Sequence, residues 1–299
     1  MITLSQESRK NTSDRVYLAH VYLFIIVCTV MAIYPMIYTI SMSVSGPEHI
    51  AVNDIWLLPK GFSLDSFRLV FDDHEIWQSY YNTLWYTVIG TSLSVALTVL
   101  SAYPLSRRRF VFRRILMKFV FITMFFSGGL IPSFLLITNL GLYNTRWACI
   151  LPYLINAWNL IVCRNFFEGI PDTIEEAASI DGASHFRTLI SIYVPLCKPI
   201  IAVMILFYAV GQWNAYFSAL MYLPDSTLHP IQMYIRKILV LSNMPTSMGA
   251  TTMGGYERSL VTQQLKYAVV VVAVLPILIV YPYLQKYFVK GVLIGSIKG

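Results

Sequence analysis

Residues 80–110 read YYNTLWYTVIGTSLSVALTVLSAYPLSRRRF and carry no charged side chain until three consecutive arginines, Arg107, Arg108 and Arg109. A bilayer core about 30 Å thick is crossed by roughly 20 residues of helix. The run from 80 to about 105 is therefore read as a membrane span, with its basic end at one surface. Five other stretches meet the same test: 16–44, 115–138, 145–167, 199–220 and 265–288. Several contain proline (Pro35, Pro132, Pro152, Pro276, Pro282), which packed membrane helices tolerate because neighbours re-satisfy the freed carbonyls. Residues 139–144, NLGLYN, are short enough to join the third and fourth stretches as a hairpin. The expected fold is all-α: a polytopic membrane helix bundle of about six spans.

Composition agrees. The chain is 57% hydrophobic and 12% charged, with a mean hydropathy of +0.62. A soluble chain carries about 25% charge, so too little polar surface is left here to face water. The net charge of +7 comes from Lys and Arg clustered beside apolar runs, a pattern of membrane loops rather than of a nucleic-acid surface. Cys28, Cys149, Cys163 and Cys197 lie within or beside apolar segments with no CxxC spacing, which argues against a disulfide framework or a zinc site. The opening MITLSQESRKNTSDR is polar for too long to be the n-region of a cleaved signal, so the first apolar run is expected to remain as a span.

Basic residues set the orientation. Arg9, Lys10 and Arg15 precede the first span; Arg107, Arg108, Arg109, Arg113, Arg114 and Lys118 follow the second; Lys286, Lys290 and Lys298 lie at or beyond the end of the sixth. Residues 45–79 are instead acidic, with Glu48, Asp54, Asp65, Asp72, Asp73 and Glu75 against Lys60 and Arg68. The positive-inside rule then places both termini in the cytoplasm and the connections 45–79, 139–144 and 222–264 outside. The chain divides into a cytoplasmic tail (1–15), a first span with its outer loop (16–79), a transmembrane domain (80–290) and a second cytoplasmic tail (291–299).

One cytoplasmic connection differs from the rest. Between the fourth and fifth spans lies FEGIPDTIEEAASIDGASHFRTLISIYVPLCKP, from Phe167 to Pro199. Pro171 and Asp172 open a helix whose first turn is acidic (Asp172, Glu175, Glu176), which favours its positive end. Ile174, Ala177, Ala178 and Ile180 make it amphipathic, and Gly182 supplies a break or a close approach of backbones. A second helical piece, 183–192, is expected to show Phe186, Leu189 and Ile190 on one side before Pro195 and Pro199 end it. A short helix with small residues on one face suits another protein's groove. A helix merely floating on headgroups would carry Lys and Arg on its polar face, and this one is acidic.

The spacing Glu176-Ala177-Ala178, then Gly182, Ile192 and Pro195 resembles the EAA signature of ABC importer permeases, E-A-A-x3-G-x9-I-x-[LV]-P. The fuller EEAASIDGAS, with Glu175, Asp181 and Ala183, is similar to the carbohydrate-uptake, maltose-type branch. So are FFSGGLIPSFLLITNLGL, GQWNAYFSALMYL and the opening 80–110 stretch, so the resemblance covers nearly the whole chain. It implies that Glu175, Glu176, Ala177, Ala178, Asp181, Gly182, Ala183 and Pro195 belong to a cytoplasmic coupling helix docked on an ATPase subunit. It also implies a second permease, identical or different, two ATP-binding cassette subunits, an extracytoplasmic solute-binding protein, and a bacterial cytoplasmic (inner) membrane location.

The sequence holds no G-x-x-x-x-G-K-[ST] loop, so ATP and its Mg are expected on the partner ATPase, with no cofactor or metal in this chain. An ion-coupled transporter would place ionisable residues at mid-membrane, and these spans hold almost none. No HExxH exists, and the histidines are scattered, so an intramembrane enzyme is disfavoured. Ser127-Gly128-Gly129 is read as a close-packing site between helices rather than a nucleophile turn. Sugars offer apolar CH faces to aromatic rings and hydroxyl rims to amides. Asn156, Trp158, Asn159, Gln212, Trp213, Asn214 and Tyr216 are therefore candidates for a substrate path, against a plain role in interhelical hydrogen bonds or interfacial belts. A non-sugar solute of the same transporter class is the alternative. In 222–264, IQMYIRKILVL reads as amphipathic and NMPTSMGATTMGG as a flexible loop, and with 45–79 they would form the docking surface for the solute-binding protein.

Overall fold

The structure is a computed structural model, and residues 12–52, 54–242, 263–280 and 282 are described. The named helices are α1 (Thr12–Ser43), α2 (Pro47–Ala51), α3 (Asp65–Asp72), α4 (His74–Ser106), α5 (Arg113–Phe125), α6 (Leu130–Asn139), α7 (Ala157–Glu168), α8 (Asp172–Ile180), α9 (His185–Thr188), α10 (Val194–Leu196), α11 (Lys198–Trp213), α12 (Phe217–Tyr222) and α13 (Ile231–Ser242). A further helix, α14, runs Gln263–Val280. Among the described residues the only β pairing is an isolated bridge, Ser45 to Phe62. The chain divides into two compact units, one from 1–70 and 241–271, the other from 71–240 and 272–299.

In the first unit, α1 exposes apolar side chains along most of its length, from Val16 to Ile40. The Thr29 and Thr39 hydroxyls bond to carbonyls of their own helix, Thr39 Oγ1 to Pro35 at 2.8 Å, so the surface left there is apolar and suited to lipid. At its end Met42 packs with Ile50 and Ile55 beside Tyr38 and Tyr267. The Gln264 amide donates to the Ser45 carbonyl at 2.9 Å, a buried link that keeps both polar groups satisfied.

The second unit is built around α4. Asp73 caps it by accepting from the Glu75 amide at 2.8 Å. Its small and hydroxyl-bearing face (Thr83, Thr87, Gly90, Thr91, Ser94, Thr98) is buried or half-buried, and Gly90 lets the Gln212 side chain of α11 close in, where a Cβ would stand 2.8 Å from the amide nitrogen. Thr98 Oγ1 lies 2.7 Å from the Tyr208 hydroxyl. Small residues at membrane-helix contacts admit this closeness. Below it, Val99, Ala102 and Tyr103 pack with Leu160 and Phe167 of α7, Tyr193, and Met204 of α11.

Three of the expected spans are not continuous helices. Among the described residues, α1, α4 and α14 each suffice by length and composition to cross a membrane, and the number reaches five if each bent pair counts as one span. The third stretch is α5 and α6, bent by 116°. Gly129 has φ +82° with nothing within 4 Å of a Cβ built on it, and at Gly128 a Cβ would meet only Pro132 at 4.0 Å. Among the described residues Ser127-Gly128-Gly129 is thus a turn that uses glycine's backbone freedom, with no close packing against another helix. The fourth stretch begins as two 3₁₀ turns, Arg146–Cys149 and Leu151–Tyr153, before α7 starts behind the Asn156 cap. The fifth breaks between α11 and α12. The expected sixth stretch is described only to 280 and at 282, and the NMPTSMGATTMGG loop lies outside the described residues. IQMYIRKILVL is helical, as α13, tied to the start of α4 by Tyr234 Oη–H to Asp73 at 2.7 Å and by a Lys237–Glu75 ion pair.

Candidate coupling element and translocation cleft

The connection after α7 folds into a closed, capped helix. α8 opens behind Pro171 with Asp172 and Glu175 in its first turn, where carboxylates meet unpaired amides. It ends in two nested bonds: Ala183 N–H to the Ala178 carbonyl at 2.9 Å and Gly182 N–H to the Ser179 carbonyl at 3.1 Å. This is the Schellman arrangement, whose penultimate residue must be left-handed, and Gly182 has φ +72°. Nothing lies within 4 Å of a Cβ placed there, so among the described residues the glycine serves the turn and no close backbone approach. Ser184 then caps α9 by accepting from the Arg187 amide at 3.3 Å.

The second helical piece differs from expectation. It is α9, a π-helical turn Leu189–Tyr193, and α10, so the chain runs helically through Pro195 and bends by 85° before α11. Phe186, Leu189 and Ile190 do not share one buried side: Leu189 is buried, while Phe186 and Ile190 are exposed, Phe186 at 66%. Ile180 is 86% exposed. Glu176, Ala177, Asp181, Gly182 and Pro195 are exposed, Ala183 is half-buried, and Ala178 and Glu175 are buried. Glu175 faces Arg107 of this same chain, Oε2 to Nη1 3.5 Å, with His185 Nδ1 3.9 Å from its other oxygen. Asp172 lies near Arg107 and Arg108, and Glu176 near Arg109, while Asp181 is exposed at the end of α8. Sequence reading missed Arg107, and it missed Ile180 and Phe186 as an exposed apolar pair flanking the glycine.

The substrate-path candidates separate into two groups. Asn156, Asn159, Gln212, Asn214 and Tyr216 line one cavity of about 450 Å³, together with Tyr153, Phe207, Tyr208 and Phe217. It lies at the broken backbones, the 3₁₀ turns ahead of α7 and the Asn214–Tyr216 gap between α11 and α12. In a membrane protein, irregular backbone persists where it is buried in protein or lines an accessible cavity. Asn156 Oδ1 is also the α7 cap, accepting from the Asn159 amide at 3.1 Å, and Asn214 donates to the Val210 carbonyl at 2.9 Å. Trp158 and Trp213 are not brought to this cleft. Trp158 is exposed, and Trp213 turns away, its indole N–H donating to the Ala273 carbonyl at 3.2 Å beside an apolar cavity that includes Leu84, Leu206 and Pro276.

Residues 94–294 match the family described as "Binding-protein-dependent transport system inner membrane component". The polygalacturonan/rhamnogalacturonan transport system permease protein YtcP of Bacillus subtilis (strain 168) is 42% identical over 96% of this chain and 99% of its own length. Protein LplC of the same organism is 42% identical over 90% of both chains. A solved bacterial ABC transporter involved in the import of the acidic polysaccharide alginate superposes with a TM-score of 0.85 at 35% identity, over 93% of this chain and 98% of that one. With the helical breaks, the capped loop and the cleft all carried on a sequence so matched, this multi-pass membrane chain belongs to the inner membrane components of binding-protein-dependent transport systems.

Proposed function

We propose that this chain is one of two permease subunits of an ATP-driven importer, and that it passes an oligosaccharide delivered by an extracytoplasmic binding protein. The cleft supports the reading most directly. Its amides can exchange hydrogen bonds with hydroxyls while its tyrosine and phenylalanine rings take the apolar faces of a sugar. Both termini face the cytoplasm in this scheme, and α8 lies on the cytoplasmic side. There Ile180, Phe186 and the small residue Ala177 enter a groove of an ATPase subunit that binds and hydrolyses the nucleotide, with Gly182 shaping the turn between Ile180 and Phe186. The names of YtcP and of the alginate importer point to chains rich in uronate.

A neutral oligosaccharide is the second reading, favoured by one observation: among the described residues the cleft lining carries no charged side chain. The test is uptake of labelled trigalacturonate and labelled maltotriose by cells expressing the complete importer, each with and without an excess of the other. Saturable uptake of one, lost in Gln212→Ala and Asn159→Ala proteins that still reach the membrane, supports the reading. Uptake of neither, with uptake of a peptide or amino acid instead, would sink it.

A further inference from the structure

Three arginines follow α4, and only one is buried. The side chain of Arg107 is 6% exposed, against 83% for Arg108 and 76% for Arg109. A cytoplasmic loop needs positive charge near the bilayer but gains nothing by hiding it, and taking a guanidinium out of water costs several kcal/mol unless its partners are well placed. Arg107 meets that condition with three directional bonds. Nε–H donates to Ser106 Oγ at 2.9 Å, Nη1–H to the Tyr193 hydroxyl at 2.6 Å, and Nη2–H to the Phe167 carbonyl. The guanidinium also lies 4.8 Å from the centre of the Tyr193 ring. These bonds join the end of α4, the end of α7 and the π-helical turn that leads into α11.

The tie to α8 is of another kind. Asp172 Oδ1 and Glu175 Oε2 stand 3.7 and 3.5 Å from Nη1, near enough to attract and too far for a good hydrogen bond. Charge attraction varies slowly with distance and angle, so α8 can tilt against Arg107 without losing it. The neighbouring pairs Arg108–Asp172 (3.9 Å) and Arg109–Glu176 (3.8 Å) involve highly exposed arginines and contribute little. Arg107, His185, Tyr103 and Tyr193 face Glu175; Asp172, Glu175, Tyr193, Cys197 and Tyr103 face Arg107, and the buried Tyr103 hydroxyl has no hydrogen-bond partner among the described residues.

We infer that Arg107 is a positioning residue for transport: a buried cation that fixes three helix ends rigidly and holds α8 by charge, so that displacement of α8 is handed to α4 and α11 instead of being absorbed by the loop. This rests on the importer reading above. Lysine keeps the charge but cannot make the three-way fork.

The test uses the complete importer, purified with its ATPase and second permease, reconstituted in liposomes with the binding protein. Uptake of labelled trigalacturonate and maltotriose is divided by ATP hydrolysed in the same vesicles. Arg107→Lys is expected to leave basal hydrolysis near wild type while uptake per ATP falls about tenfold, and Arg109→Gln is expected to change neither. Uptake per ATP within about twofold of wild type in Arg107→Lys overturns the inference. Should Arg107→Lys fail to assemble, Glu175→Gln decides, since it keeps shape and removes only the charge: a fall in uptake per ATP supports the inference, and no change overturns it. Wild-type vesicles lacking any ATP-dependent uptake overturn both this inference and the importer reading. Wild-type uptake with undiminished coupling in the variants overturns this one alone.

Discussion

Replacing Gly182 separates two physical roles that a glycine can play. Its φ of +72° lies in the left-handed region, and no atom stands within 4 Å of an added Cβ. Alanine there should meet no clash within the chain and lose only the backbone term, about 1–2 kcal/mol for an L-residue in that region. That energy corresponds to roughly a 5- to 30-fold rise in the open population of the helix end. The readout is amide hydrogen exchange at Gly182 and Ala183, whose protons are held by the carbonyls of Ser179 and Ala178. Gly182→Ala should speed exchange of Ala183 by about that factor. Gly182→Asn should cost less than alanine, because asparagine tolerates the left-handed region. Gly182→Pro should cost most, losing both the donor and the required φ. Uptake should follow the same order. If damage instead tracked side-chain size, with alanine milder than asparagine, the glycine would be serving a tight fit to a partner and the Schellman argument would fail.

Other consequences are open to measurement. Trp213→Phe removes the donor to the Ala273 carbonyl and should cost about 1–3 kcal/mol, read as a lower Tm of the detergent-solubilised protein; an unchanged Tm would remove that bond from the account. Asn156→Ala deletes the α7 cap and should cost about 1 kcal/mol, seen as faster exchange of the Asn159 amide. Hydrogen bonds from the Thr227 hydroxyl and amide hold the Asp225 carboxyl below its ordinary value of 3.8. Its contribution is therefore complete above pH 3.8 and is lost as pH falls through the lower folded value. Asp225→Asn should flatten the acid limb of Tm against pH, and an unaltered limb would contradict this.

Hydropathy reports how apolar a stretch is, and it located α1, α4 and α14, the single helices long enough to span among the described residues. It does not report where the backbone stops being helical, so 115–138 reads as one span although α5 and α6 meet at a sharp turn. The local signal was present in Gly128, Gly129 and Pro132. Pro152 and Asn156 likewise marked the late start of α7. Four of the five residues that meet in the cleft, Asn156, Asn159, Gln212 and Asn214, stood out because amides are costly within apolar spans, and Tyr216 stood out by its ring, whereas Trp158 and Trp213 shared that aromatic character without sharing its direction. Arg107 could not have been distinguished from Arg108 and Arg109 by type or spacing. Only the folding of Phe167, Glu175 and Tyr193 around one of them made it different. For the same reason the pairing of Glu175 with Arg107 was not legible from its place in the EEAASIDGAS run.

The interruption between α5 and α6 bears on how the chain enters the bilayer during synthesis. At 1.5 Å per residue their 13 and 10 residues extend only about 20 and 15 Å, each short of a core about 30 Å thick. Neither can partition into lipid by itself, because the peptide groups at the turn between them would meet hydrocarbon unpaired. Their insertion must wait for companions, with α4 already in place and the chain beyond Gly141 following close behind. The pair grafted alone into a host insertion reporter should therefore insert poorly, and efficient solitary insertion would show that the turn finds shelter without its neighbours.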